Sequence, residues 1–354
     1  MTKRKVYLDI LRAVACCMVV GVHVSAQQIS LLGTQSISFK FMNVMDCLCI
    51  IGVPLFVMIS GALMLNPSHD GSIKNLYRHH ILHLLIAYIF WLLFYNITDY
   101  VKTNSVFAWT TFKEAVLLDT LLGKGMYHMW FLPMILGLYV LTPVIKEMVQ
   151  SQRICEYFLI LYFIFNLFYN TIFKFQVPFE DVTESLFLRL PLKILEGYIG
   201  YYVLGYYLDK YFVRIRKRSF YAILMLGLVN FLWEITICNH ESAKSGKLST
   251  ILNDPLTVNV FFAAIAIFVL LRQLFKNVNT EGRFYRICRG LGRYSFGVYL
   301  IHPLILSWLT ARNITTLLLP VPISIPLMIL LVVSMSYGLV WLLSRIPILG
   351  KYIV

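Results

Sequence analysis

The sequence predicts an all-α fold: a polytopic membrane helix bundle of about ten transmembrane helices, with both termini cytoplasmic. Three observations predict it. Of the 354 residues, 59% are hydrophobic and 14% charged, whereas soluble domains are about half apolar and a quarter charged. Apolar stretches recur from end to end with no Pro/Gly/Ser-rich linker between them, so residues 1–354 read as a single domain. Basic residues are also shared unequally among the connecting segments. This composition excludes a disordered chain, a nucleic-acid-binding domain and an ordinary cytosolic enzyme. The net charge of +14 reads instead as loop charge on an integral membrane protein.

A spanning helix takes roughly 20 mostly apolar residues. Residues 8–26 form the first such run. The Lys3-Arg4-Lys5 start imitates a signal peptide, but Arg12 and His23 interrupt the run and a small-residue cleavage site is missing, so it is kept as a helix. Residues 41–65, 81–97, 130–145 and 157–172 follow as the second to fifth spans. Residues 194–208, 220–237, 256–274, 294–309 and 323–343 complete the ten.

With the N-terminus inside, 20 of the 31 Lys and Arg residues fall on inner segments and ten on outer ones, Arg12 lying within the first helix. That bias supports cytoplasmic termini. The tally includes Lys3, Arg4, Arg214 and Lys351 inside and Arg189 outside. Residues 214–218 and 283–293, the latter holding Arg286 and Arg289, are strongly basic inner loops. They suit anionic lipid headgroups, and equally a phosphorylated cytoplasmic ligand. The seven cysteines include no CxxC pair and no zinc-like spacing, so neither a disulfide framework nor a metal site is expected.

Ionisable residues in spanning helices are costly and mark candidate functional sites. The first helix holds Asp9, Arg12 and His23. His23 is eleven positions after Arg12; at 100° each, that is about 20° past three turns, so they share one face about 16 Å apart. Arg12 could simply snorkel to headgroups and His23 could be a packing residue; their shared face favours a functional groove. Asp9, three residues before Arg12, could orient or neutralise it. Asp46 and Glu196, at the same height as His23, are expected to line a cavity with it. Glu234 is expected to reach outer water, His302 could be structural or inward-facing, and His79, His80 and His83 are expected to be solvated.

The stretch from Tyr7-Leu8-Asp9-Ile10-Leu11-Arg12 to Val22-His23 resembles the start of the acyltransferase 3 family of membrane O-acyltransferases, with its Arg/Lys, ten residues, then His. Val53-Pro54-Leu55-Phe56-Val57-Met58-Ile59-Ser60-Gly61 resembles that family's second-helix Phe…Ser-Gly motif. Tyr127-His128-Met129-Trp130-Phe131-Leu132 resembles its His-x-Trp-Phe segment, and Gly297-Val298-Tyr299-Leu300-Ile301-His302-Pro303 its Tyr-x-x-His. The branch it most resembles is the membrane-only kind that acetylates surface polysaccharides, the enterobacterial common antigen acetyltransferase type. It is also similar to the membrane half of vancomycin-resistance serine racemases. Where the family carries an Arg-rich run after the second helix, this chain keeps Arg78 and has His79, His80 and His83 beside it.

The resemblance implies a bacterial plasma-membrane enzyme with no bound cofactor. It would transfer an acetyl or other short acyl group from cytoplasmic acyl-coenzyme A to a hydroxyl of an envelope glycan or its lipid-linked precursor. Arg12, with Arg78, Arg286 and Arg289, would hold the donor phosphates. His23 would act as general base or carry the acyl group. Asp46 or Glu196 could orient it, and Ser60 could stabilise the oxyanion. His128, Trp130 and His302 enter as members of the matching motifs. The alternative is a membrane transporter of a glycan precursor or of an amino acid such as serine; a non-catalytic scaffold is a third class.

Overall fold

Each of the ten predicted spans is helical in the computed structural model. The structure describes residues 5–67, 72–104, 106–175, 190, 192–212, 215–276, 278, 280–347 and 350, and no strand occurs among them. Lys3, Arg4, Arg189, Arg214 and Lys351 of the charge tally lie outside the described residues. Within a bilayer the backbone must satisfy its own hydrogen bonds, so long apolar runs settle as helices.

The principal helices are α1 (Val6–Ala26), α2 (Ile37–Cys49), α3 (Gly52–Met64), α4 (Ile73–Thr103), α5 (Phe131–Met148) and α6 (Gln152–Phe173). They continue with α7 (Ile199–Lys210), α8 (Lys217–Ser245), α9 (Val258–Leu274), α10 (Arg283–Thr310) and α11 (Val321–Leu343). The α1, α2–α3, α4, α5, α6, α8 and α11 segments are each long and apolar enough to cross a membrane. The chain is thus a multi-pass all-α membrane protein. Helix α9 has 17 residues and α7 only 12, while α10 is long but opens with Arg283, Arg286, Arg289 and Arg293.

Three expectations are corrected. The second span is two helices, because Pro54 has no N–H to return to the carbonyl of Ile50. The sixth begins only at Ile199; before it, Lys193–Leu195 is a 3-10 turn and Glu196 sits in the following bend. Residues 283–293 are not a loop but the first turns of α10.

Helix α1 is the hub. It packs against α2, α3, α9, α10 and α11, and 72% of its apolar window is buried, against 11% for the peripheral α8. Short α7 is shielded on nearly every side and presses most extensively on α3. Gly61 and Gly205 make that approach possible: a Cβ on Gly61 would fall on the Tyr202 carbonyl, and one on Gly205 on the Met58 carbonyl. Small residues at a helix crossing serve close packing where lipid offers no hydrophobic drive.

The polar ends of these helices set their directions. Lys5 and Tyr7 both donate to the buried Asp209 carboxylate, Tyr7 at 2.5 Å. Arg272 donates to the carbonyls of Leu208, Asp209 (3.1 Å) and Phe212 (3.0 Å), capping the negative end of α7. The N-terminus of α1 therefore lies beside the C-terminus of α7, and the Glu196 bend lies toward the His23 end of the bundle.

Candidate active site

A cavity of about 320 Å³ opens where α1, α3, α4, α5 and α10 meet. Each helix contributes one face at spacings of three, four or seven: Arg12 and Val19 from α1; Val53, Phe56 and Ser60 from α3; Phe131, Ile135 and Tyr139 from α5. Helix α4 adds His79, His80 and His83. The first two belong to six residues wound as a π-helix, Leu76–Ile81, a distortion often found at functional sites. Helix α10 adds Arg293, Phe296 and Tyr299. Tyr139 lies against both Ser60 and Arg12. One mouth of the cavity is thus cationic and imidazole-rich, and its walls are aromatic and aliphatic.

At the opposite end, the site is built of imidazoles. His23 stacks on His302 with ring centroids 5.1 Å apart and planes 20° apart, while Tyr127 covers His23 at 4.7 Å. The His128 ring is 5.5 Å from that of His302. Tyr299 links the two ends: it lines the cavity, and its hydroxyl donates to the His128 carbonyl. His302 is fully buried, and its Nδ1 lies 2.7 Å from the Tyr299 carbonyl and 3.2 Å from that of Val298. A nitrogen facing carbonyls must donate, so Nδ1 carries the proton and Nε2 keeps its lone pair. Among the described residues that Nε2 has no hydrogen-bond partner, nor has either ring nitrogen of the buried His128. Buried polar atoms without partners mark a place where a hydroxyl or water fits.

The structure places Arg12 and Ser60 on the cavity wall and gathers His23, His128 and His302 into one ring cluster joined to it through Tyr299, and separates the others. Asp46 is buried on α2, accepts from Asn253 at 2.5 Å, and meets Ser25 at 3.3 Å. Ser25 is two residues, about 200°, around α1 from His23, so Asp46 serves the other face of the helix. Glu196 is exposed in its bend and lines a different cavity. Asp9 accepts from Tyr285 at 2.9 Å. Trp130 is an exposed aromatic 5.5 Å from the Tyr198 ring. Arg78 is exposed and does not line the cavity; its neighbours His79, His80 and His83 do, His79 being exposed as expected while His80 and His83 are half-buried. Glu234, expected to reach water, is completely buried and accepts from Asn259 at 2.8 Å.

Arg286 and Arg289 are exposed on α10, and the arginine that reaches the cavity is Arg293, which the sequence reading passed over as loop charge. The signal was present: 286, 289 and 293 are spaced for one helical face. Tyr139 had no such signal, and Tyr127 stood only as the residue before the His-x-Trp-Phe segment. Among the described residues no group of three or more His, Cys, Asp or Glu side chains could hold a metal ion.

An arginine and imidazoles at one mouth can hold phosphate by charge-assisted hydrogen bonds. A neutral imidazole with a free lone pair can take a proton from a hydroxyl. Comparison with known proteins bears on this arrangement. The acyltransferase 3 family profile, an acyltransferase domain, matches residues 5–345. A Staphylococcus aureus (strain MRSA252) protein called probable poly-beta-1,6-N-acetyl-D-glucosamine export protein is 24% identical over 320 residues, covering 88% of this chain and 85% of its own. Its counterpart in S. aureus strain NCTC 8325 / PS 47 is 25% identical with the same coverage. No solved structure matches significantly. Because the family match runs from α1 through α11, it takes in both the cavity and the imidazole cluster, and the chain belongs to the acyltransferase 3 family.

Proposed function

We propose that this protein transfers an acetyl or other short acyl group from acyl-coenzyme A to a hydroxyl of a cell-envelope polysaccharide or its lipid-linked precursor, in the bacterial plasma membrane. The observation that carries the reading is that Arg12 and the imidazole cluster stand at opposite ends of one face of α1, with the cavity beside it. Arg12, Arg293 and the α4 histidines hold the donor's phosphates at the mouth. The pantetheine arm lies along the about 16 Å from Arg12 to His23 and delivers the thioester to the imidazoles. The acceptor hydroxyl loses its proton to His23 as its oxygen bonds to the thioester carbonyl carbon, and coenzyme A leaves as the carbon–sulfur bond breaks. His302 packs on the His23 ring and fixes its plane.

Arg12→Ala should raise the donor KM by about 10- to 100-fold, the worth of charge-assisted hydrogen bonds, and excess acyl-coenzyme A should recover much of the rate. Arg12→Lys keeps the charge without the planar fork and should fall between. An unchanged donor KM in Arg12→Ala would remove the donor from this mouth.

The donor site must then face the cytoplasm, with both termini inside. Most native cysteines are buried, so single introduced cysteines can report topology against a low background. Probes at Arg216 and Arg286 should resist an impermeant maleimide in intact cells, and probes at Asn104 and Ser245 should react. Labelling of Arg286→Cys from outside would invert the scheme.

The name of the S. aureus relatives favours a second reading, polysaccharide export. Export predicts glycan movement without release of coenzyme A, whereas transfer releases one coenzyme A per ester formed. Purified protein in nanodiscs, with labelled acetyl-coenzyme A and an envelope extract, separates the two.

A further inference from the structure

A second cavity, of about 310 Å³, lies between α6 and the bend that precedes α7. The Lys5–Asp209 pair places that bend toward the His23 end of the bundle, away from the cationic mouth. We propose that this cavity is a saccharide-binding subsite that holds part of the acceptor glycan while another part of it lies at the imidazole cluster. The ligand class rests on the acyl-transfer reading; the site rests on its own geometry.

The lining is mixed as a sugar requires. Phe165 and Tyr169, four residues apart on α6, put aromatic side chains in the lining, Tyr169 braced by Phe173 at 4.4 Å, and aromatic rings are the side chains that pack on the C–H face of a pyranose. Asn166 and Asn170, also four apart, face Lys193 and Glu196 from the bend. Together these supply donors and acceptors for hydroxyls, which need both. A phosphate would call for donors alone, and an acyl chain would gain nothing from two amides and two charges. The volume falls in the range of small-ligand pockets.

Asn166 is the specific observation. It is 3% exposed, and its Oδ1 accepts from the Gly197 amide at 3.2 Å and from Asn170 at 3.4 Å, so the side chain is fixed. Among the described residues its Nδ2 meets no acceptor in hydrogen-bond geometry. A buried donor held in place without an acceptor is what an absent ligand oxygen would satisfy. Local backbone agrees: Phe163–Phe168 is wound as a π-helix around Asn166, within an otherwise regular α6. The cavity is also joined to the chemistry. Tyr198, next to Gly197 on the cavity wall, lies 5.5 Å from Trp130, two residues beyond His128. Exposed Trp130 and half-buried Tyr198 therefore form an aromatic step from the subsite toward the imidazoles, along which a chain of sugars can lie.

The test measures binding of a β-1,6-linked N-acetylglucosamine hexamer, without donor, to the full chain in nanodiscs by saturation-transfer difference NMR. Wild type should bind, and Tyr169→Ala and Asn166→Ala should each weaken binding by about tenfold. Glu196→Gln, an exposed change that leaves packing alone, should weaken it by about threefold. Gly338→Ala, whose added methyl group meets nothing within 4 Å and which lines neither cavity, should bind like wild type. Loss of binding in all three cavity variants with acyl transfer absent from wild type would support the subsite and sink the enzyme reading. Transfer by wild type with an acceptor KM unmoved by all three variants would sink the subsite and leave the enzyme. No binding of the hexamer by wild type at millimolar concentration also overturns the subsite, as does binding unchanged by Glu196→Gln together with Tyr169→Ala.

Discussion

His23→Ala should lower acyl transfer at saturating donor by about 10²- to 10⁴-fold, the usual worth of a positioned general base. The protein should still reach the membrane in normal amount, because His23 is only half-buried and its neighbours are rings rather than a buried hydrogen-bond network. Raising acyl-coenzyme A should not restore the rate, since Arg12 and the other groups proposed to hold the donor phosphates line the cavity away from His23 and are intact. That pattern, a fall in kcat with donor KM nearly unchanged, is the signature of a group acting in the chemical step, and it contrasts with the donor-rescued defect expected for Arg12→Ala. His23→Gln keeps a polar group of similar reach without a basic ring nitrogen and should be as inactive as Ala. The assay counts coenzyme A released with labelled acetyl-coenzyme A and an envelope acceptor. Wild-type turnover in His23→Ala would leave His128 or His302 to be tested as the base and would end the assignment to His23.

Gly205→Val should abolish the folded protein, and Gly61→Val should do the same. At both positions the clash is with the backbone carbonyl of the opposing helix, Met58 for Gly205 and Tyr202 for Gly61, and a carbonyl cannot swing aside as a side-chain end can. Helices α3 and α7 would have to separate along their most extensive contact. Overpacking a core costs about 1–3 kcal/mol and occasionally more; two backbones forced apart belong at the upper end, against a total stability of about 5–15 kcal/mol for a domain. Fluorescence-detected size exclusion should show aggregate or no protein for either variant. Gly137→Ala and Gly338→Ala are the controls. Their added methyl groups meet nothing within 4 Å, and replacing a mid-helix glycine with Ala favours the helix. They should elute as wild type. A monodisperse, active Gly205→Val would show that α3 and α7 do not pack this closely.

What the sequence determined by itself is local. Apolar runs must become helices in a bilayer, so the ten segments could be placed, including short α7, whose start was misjudged by a few residues at a glycine bend. The shared face of Arg12 and His23 follows from helical repeat alone. So does the line of Arg286, Arg289 and Arg293, once residues 283–293 are known to be helix. Spacing states which residues share a face; it does not state which neighbour that face meets, and the tertiary structure decided that. It turned Asp46 toward Ser25 and Asn253 rather than His23, and gave Glu196 to a second cavity. It buried Glu234 against Asn259, brought His302 from a helix nearly 280 residues away onto the His23 ring, and folded the π-turn of α4 so that His79, His80 and His83 close one mouth of the site. The reason is physical: helix formation is settled by hydrogen bonds within a segment, whereas the pairing of helix faces is settled by close packing between segments distant in the chain, such as the glycine seam of α3 and α7.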